Sequence, residues 1–361
     1  MQDSNQLNDY IIPDQLDDTI QTVKFSQNRQ AMNILASGGW DSKINIWEIN
    51  YSPGSTCQFN SKLAYSNTLS DPILSLCWQP DSVKLFSGTT DGVITCNDLT
   101  NFSSIQIGKH DLGVKELCWL GGNLNLLVSG GWDGKISVWD LKSPSPVATY
   151  VNPKKVYSMS CVFPLLVVGL ADRAVCYFNL NKIQHTGFNP EAIFESHLKY
   201  QTRTVSCFSD GNGYAIGSIE GRVAIKYVDL NKIPDINPET KQMNNAEDFA
   251  FRCHRVGDVA DVFPVNCIAF NQPYGTFCTG GGDGTWLIWD KNSKSRLKIG
   301  HFPAPNNQPK ASITALDYSM NGDLLAYAGG YDWSKGVSGE NSFQNKLGIH
   351  YVLDTEKKKK N

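Results

Sequence analysis

The chain has 361 residues, of which 41% are hydrophobic and 19% charged, with a formal net charge of −3. This is the composition of a folded globular protein. A total charge so near zero excludes a large electrostatic footprint for nucleic acid or an anionic membrane and leaves room only for local basic patches.

No apolar run reaches the roughly 18 residues needed to span a membrane as a helix, so no membrane association is expected. The first stretch, MQDSNQLNDYIIPDQLDD, is polar and acidic and lacks the charged start and apolar segment of a signal peptide. Secretion is therefore not expected, and the sequon at Asn101 carries little meaning. Within the stretch, residues 10–14 (YIIPD) read as a short strand ahead of the apolar run TIQTVKF.

From there one unit recurs. SGGWDSKINIWEI places Asp41 in a turn, and LFSGTTDGVITCNDL places Asp91 at the same point. SGGWDGKISVWDL places Asp133, LVVGLADRAVCYFNL places Asp172, and YAIGSIEGRVAIKYVDL places Glu220. TFCTGGGDGTWLIWD places Asp283, and LAYAGGYDWSKG places Asp332. The intervals are 50, 42, 39, 48, 63 and 49 residues. Each unit has an apolar run, a second run ending in small residues, a D-G type turn, and a strand of period two. Seven such units predict an all-β, seven-bladed β-propeller filling residues 1–361, a monomer with almost no helix. Little chain remains for a fourth strand in the last unit, so the early YIIPD strand is expected to supply it and close the ring.

Three irregular segments interrupt the pattern. Residues 231–246 and 334–346 read as long loops, and the final EKKKKN, within a basic tail over residues 355–361, as a solvated, frayed end. Ten cysteines fall singly, as in LSLCW (Cys77), ELCWL (Cys118) and VNCIAF (Cys267), with no C-x-x-C pair. They read as buried free thiols of a reducing compartment, and neither a metal nor a cofactor is expected.

The turn, the alternating strand and the closing Trp-Asp resemble the WD-repeat family. That resemblance implies a hydrogen-bonded tetrad in each complete blade: His before the first strand, Ser or Thr on the second, Asp in the turn, Trp on the third. His110, Ser129, Asp133 and Trp139 match all four positions, as do His254, Thr279, Asp283 and Trp289. Ser37, Asp41 and Trp47 match three. A His, Ser and Asp together could suggest a hydrolase, but a set repeated from blade to blade is packing, because an active site is built once. No enzyme activity is expected.

LKYQTR (198–203), GSIEGRVAIKYVD (217–229), FAFRCHR (249–255) and YDWSKG (331–336) are not demanded by blade packing. Together they resemble the family shared by the Rae/Gle-type mRNA export factor and the Bub-type spindle checkpoint protein, with YDWSKG closer to the export branch. The resemblance implies a scaffold that binds short acidic hairpins. In the export branch the partner is a GLEBS-type motif of a phenylalanine-glycine nucleoporin at the nuclear pore, with a nuclear and cytoplasmic distribution. In the checkpoint branch it is a checkpoint kinase. Arg203 and Arg222, in neighbouring loops, are candidates to grip glutamates, since a guanidinium pairs with carboxylate in two-pronged fashion; the bland alternative pairs Arg222 with Glu220. The family also implies an aromatic pocket with a basic rim, matched by Phe251, Trp289, Lys291, Lys294 and Arg296, which suits acidic peptide and weak, salt-sensitive RNA binding. Trp40, Trp132 and Trp333, beside the turn aspartates, are candidate exposed contacts for a partner.

Overall fold

In the computed structural model the described residues are 8–358, apart from 14–15, 55–56, 184–186, 233, 244, 258–260, 304–310 and 340–343. Seven four-stranded antiparallel sheets form among them. Blade 1 runs through Ile20–Phe25, Ile34–Gly39, Lys43–Ser52 and Gln58–Thr68, and blade 3 through Val114–Leu120, Leu126–Gly131, Lys135–Trp139 and Ala148–Val151. Blade 5 comprises Thr202–Cys207, Gly213–Ser218, Arg222–Tyr227 and Phe249–Arg252, and blade 6 Val265–Phe270, Phe277–Gly281, Thr285–Asp290 and Ser295–His301. Each first strand packs against the first strands of the blades before and after it, and blade 7 returns to blade 1, so the ring is closed around a central channel. This is the seven-bladed WD-repeat propeller expected from the repeat.

The small residues ending each second strand have a packing cause. A Cβ added to Gly38 would lie 2.6 Å from Ile73, one on Gly130 would lie 2.8 Å from Val156, and one on Gly280 would lie 2.5 Å from Ile313. In each case the β-branched side chain comes from the first strand of the following blade, so the glycine is the socket into which the next blade locks. The turn that follows has its own requirement. Gly134 holds φ at 80°, a conformation open to glycine at little cost, whereas blade 1 places Ser42 there at φ 61°.

The ring closes as expected, by a strand from the other end of the chain. Asp9–Ile11 is the fourth strand of blade 7, with Tyr10 opposite Ile349 and Ile11 opposite Gly348. The edge that Lys346–Tyr351 would expose is thereby paired. Of the expected YIIPD strand, Asp14 lies outside the described residues.

The expected frayed tail needs correction. Asp354–Lys357 forms one helical turn, and Glu356 and Lys357 are buried. Glu356 accepts from His350 Nε2 at 2.8 Å and pairs with Lys298 at 3.2 Å, while Lys357 Nζ reaches Asp323 at 2.6 Å. A charge run reads as solvated by composition alone; here its first two members are buried and meet partners of opposite sign. Lys358 is exposed, and the remaining tail lies outside the described residues.

The ten cysteines are free thiols. Burial pushes Cys77, Cys176, Cys207, Cys253 and Cys267 up to about 12, which keeps them protonated and inert. No helix among the described residues is long and apolar enough to cross a membrane.

Candidate ligand-binding face

The tetrads form and account for the His, Ser and Asp sets. His110 Nδ1 lies 3.0 Å from Asp133, its Nε2 lies 2.7 Å from Ser129 Oγ, and Trp139 Nε1 donates to the same hydroxyl at 2.8 Å. In blade 6, His254 reaches Asp283 at 3.0 Å and Thr279 at 2.9 Å, and Trp289 donates to Thr279 at 3.0 Å. Burial pushes the Asp133 and Asp283 carboxyls up, but hydrogen bonds from the histidines and the turn backbone outweigh it, and both end below the usual carboxylate range. Asp41 has no histidine; burial dominates and its pKa is raised. The turn acids of the seven blades differ in their surroundings. Asp172 sits in a 3-10 turn with its side chain 79% exposed, so blade 4 lacks a buried turn carboxylate.

The turns between second and third strands, and the links from one blade to the next, emerge on one face. There the first and third strands of blade 5 begin with the arginines singled out in the sequence. Arg203 lies within the first strand, at a bulge between Thr202 and Thr204, not in the loop before it. It is exposed and has no hydrogen-bond or ion-pair partner among the described residues. Arg222 starts the third strand, two strands outward, about 10 Å away by strand spacing. It is half-buried, with Nε 3.6 Å from Glu220, so the alternative pairing with Glu220 is present.

Two further arginines were not legible as site residues. Arg252 stands opposite Arg222 across the third and fourth strands and is exposed. Arg255 donates through Nη2 to the Glu220 carbonyl at 2.9 Å. It opens a two-stranded ribbon, Arg255–Val256 with Asp261–Val262, between blades 5 and 6. Tyr200, Ile219, Val256 and Val262 are exposed on this side, and the Ile219 amide is bonded to the Gln201 carbonyl at 3.1 Å, which holds the Tyr200 loop against the turn. Four arginines thus gather at this end of blade 5 and the ribbon beside it, with exposed apolar groups next to them; Arg222 pairs with the Glu220 carboxylate and Arg255 with its carbonyl.

The aromatic pocket is a cavity of about 320 Å³ lined by Phe249, Phe251, Arg252, Phe277, Trp289, Lys291 and Lys294. Phe251 and Trp289 meet at 4.6 Å between ring centroids. Trp289 therefore serves both readings: its Nε1 edge completes the tetrad and its ring walls the pocket. The rim is weaker than the sequence suggests. Lys291 is buried, with its ammonium 4.9 Å over Phe208, and Lys294 lies 4.6 Å over Phe249. Arg296 is exposed opposite Trp289 in the sheet register and does not line the cavity.

The three tryptophans do not share one fate. Trp40 and Trp333 are 39% and 47% exposed and line one cavity of about 610 Å³ at the channel mouth, together with Arg203. Trp132 is half-buried against Gly113 and lines neither cavity.

Comparison with known proteins extends the likeness beyond fold. The WD domain, G-beta repeat family matches residues 12–48, 63–98, 103–140 and 251–290. The Schizosaccharomyces pombe "Poly(A)+ RNA export protein" is 38% identical over 348 residues, covering 94% of this chain and 89% of that protein. The chain belongs to the Rae1/Gle2 family of WD-repeat mRNA export factors. Drosophila melanogaster "Protein Rae1" is 35% identical over 93% of this chain and 91% of its own length, and Chaetomium thermophilum "mRNA export factor GLE2" is 35% identical over 94% and 89%. The matched WD spans contain Asp41, Asp91, Asp133 and Asp283, whereas the turn residues Asp172, Glu220 and Asp332 fall outside them. Within this Rae1/Gle2 family member, Arg203 and Arg222 lie outside the matched spans and Arg252 and Arg255 inside the last of them.

Proposed function

We propose that the chain is a non-enzymatic scaffold in mRNA export that docks on a GLEBS-type acidic hairpin of a phenylalanine-glycine nucleoporin, and that it works at the nuclear pore with nuclear and cytoplasmic pools. The observation that carries this reading is the gathering of Arg203, Arg222, Arg252 and Arg255 at one end of blade 5 and the ribbon beside it, with Arg222 paired to Glu220. A cluster with excess positive charge beside exposed Tyr200, Ile219, Val256 and Val262 suits a peptide that mixes glutamates with apolar residues. The relatives' names as mRNA export factors supply the process. Two successive outward-facing residues of an extended strand stand about 7 Å apart, a spacing that lets neighbouring glutamates reach Arg203 and Arg222 in turn.

The aromatic cavity walled by Phe251 and Trp289 is a secondary subsite of the same chemistry, since Arg252 borders both. Capture on the immobilised protein from nuclear extract, followed by mass spectrometry, tests the assignment. Recovery of a Gly-rich nucleoporin, lost on Arg203→Glu with Arg222→Glu, supports it. Recovery of a checkpoint kinase without any nucleoporin overturns it.

A further inference from the structure

One turn of blade 3 is longer than blade closure needs. In blade 2 four residues separate Asp98 from the fourth strand, Ser103–Lys109, and in blade 6 four separate Asp290 from Ser295–His301. In blade 3 seven residues, 141–147, separate Asp140 from Ala148–Val151. All three turns open alike, for Asp98, Asp140 and Asp290 each accept from the amide two residues on, at 2.9, 3.0 and 3.0 Å. The blade 3 loop then carries Ser143-Pro144-Ser145-Pro146.

The chain has three Ser-Pro pairs, at Ser52, Ser143 and Ser145, and no Thr-Pro pair. Proline fixes its own φ, lacks an amide donor and pushes the residue before it toward extended backbone. A proline-directed kinase reads such a pair, with the serine extended in its cleft and the ring following. The fold separates the three serines. Ser52 ends the strand Lys43–Ser52 and stands opposite Gln58, so a kinase would have to unpair it. Ser143 is half-buried and its hydroxyl is committed: it donates to the Ser145 carbonyl at 2.9 Å and accepts from the Ser145 amide at 3.5 Å. Ser145 is exposed together with Pro144, Pro146 and Val147, and its hydroxyl has no partner among the described residues.

We propose that Ser145 is a phosphorylation site for a proline-directed kinase, with ATP as the phosphoryl donor. The Ser145 Oγ bonds to the γ-phosphorus as the bond from that phosphorus to the β,γ-bridging oxygen breaks. The hydroxyl proton passes to the catalytic carboxylate of the kinase, and ADP leaves. The product adds a charge of about −1.5 to −2 at pH 7, three residues from the exposed Lys142, which has no ion-pair partner among the described residues. Turns between third and fourth strands emerge on the face opposite the arginines. The strand Lys135–Trp139 alone carries the chain about 13 Å from one face toward the other, farther than the Debye length of about 8 Å at physiological ionic strength. The phosphate therefore marks the opposite face and leaves docking at the arginines unchanged.

The test incubates the full folded chain with ATP and a mitogen-activated protein kinase, beside a free peptide of residues 139–150, and locates phosphate by mass spectrometry after proteolysis. The expected result is one phosphate on Ser145 of the folded chain, lost in Ser145→Ala and kept in Ser143→Ala. The chain recovered from growing or starved cells, with phosphatases inhibited, should carry the same mark. Calorimetry with a GLEBS-type hairpin peptide should give affinities within about twofold before and after phosphorylation. Phosphate on the free peptide with the folded chain bare would show that the fold closes the loop, and would overturn the proposal. So would phosphate on Ser52 or Ser143 with Ser145 bare, no phosphate on chain or peptide, or a bare Ser145 in cells of both kinds. A larger change in hairpin affinity would refute the separation of the two faces.

Discussion

The ring is held shut by a charged histidine, and its removal makes a quantitative test. His350 is wholly buried in the last blade. Its Nδ1 lies 2.9 Å from Asp9 on the closing strand and its Nε2 lies 2.8 Å from Glu356 on the terminal helical turn. Trp286 packs on the ring at 4.6 Å, and Lys298 balances the second Glu356 oxygen at 3.2 Å. Ionised carboxylates only accept, so both ring nitrogens must donate, which requires the imidazolium. Burial alone would depress the imidazole pKa, but hydrogen bonds and charges from Asp9 and Glu356 outweigh it and raise it above the ordinary value. For Glu356, burial pushes the carboxyl up while His350 and its other partners pull it net down.

The two groups set a pH window. The His350 contribution is fully present below the unfolded imidazole pKa of about 6.5 and is lost as pH rises through the raised native value. The Glu356 contribution is present above its unfolded value of about 4.3 and is lost as pH falls through the lowered native one. Replacing His350 by Ala strands two carboxylates, one of them buried, and breaking such a pair costs about 3–5 kcal/mol. For a chain of this length that is a fall in Tm of about 4–7 °C. Thermal unfolding by near-ultraviolet circular dichroism at pH 6 should show the full deficit, and the gap between the parent and His350→Ala should narrow as pH rises toward 9. A deficit under 2 °C, or one that grows with pH, refutes the imidazolium clasp.

Other expectations follow from the blades. Gly130→Ala should cost about 1–3 kcal/mol through collision with Val156, and adding Val156→Ala should recover part of it in urea unfolding; additive losses would contradict the socket. Asp133→Asn should destabilise by about 1.5–3 kcal/mol near neutral pH, and more than Asp41→Asn. The asymmetry arises because Asp133 is held down by His110 and is stabilising above the ordinary carboxylate pKa, whereas burial raises Asp41. RNA binding should be weak and should fall steeply between low and physiological salt; submicromolar affinity insensitive to salt, measured by fluorescence anisotropy, would contradict the reading of the −3 net charge.

The repeat was legible because its signals are local. A D-G turn, a small residue two or three positions earlier and a period-two strand all lie within about fifteen residues, and each has one backbone cause. The tetrads were legible for the same reason, since Ser129, Asp133 and Trp139 share a hairpin. The clasp was not: Asp9, His350 and Glu356 come together only when the ends of the chain meet, and a lysine run gives no hint that Lys357 and the Glu356 before it are buried. The channel mouth was half legible. Trp40 and Trp333 stood out as aromatics beside the turn aspartates, but their joining with Arg203 depends on ring closure across blades 1, 5 and 7. Trp132, in an almost identical local sequence, is drawn instead onto Gly113 by its own neighbours.

The central claim is that the arginine-rich end of blade 5 grips an acidic hairpin. Calorimetry on a double-mutant cycle tests it most directly: Arg203→Ala and Arg222→Ala, each against a GLEBS-type hairpin peptide and its glutamate-to-alanine counterparts. Both arginines lie outside the tetrads, so thermal melts should be little changed. The account predicts losses of about 2–5 kcal/mol for a desolvated pair, with coupling of similar size between each arginine and one particular glutamate. Arg→Lys should rescue only partly, because an ammonium lacks the planar fork. Unchanged affinity in both single variants and the double variant, with no coupling to any glutamate, would contradict it.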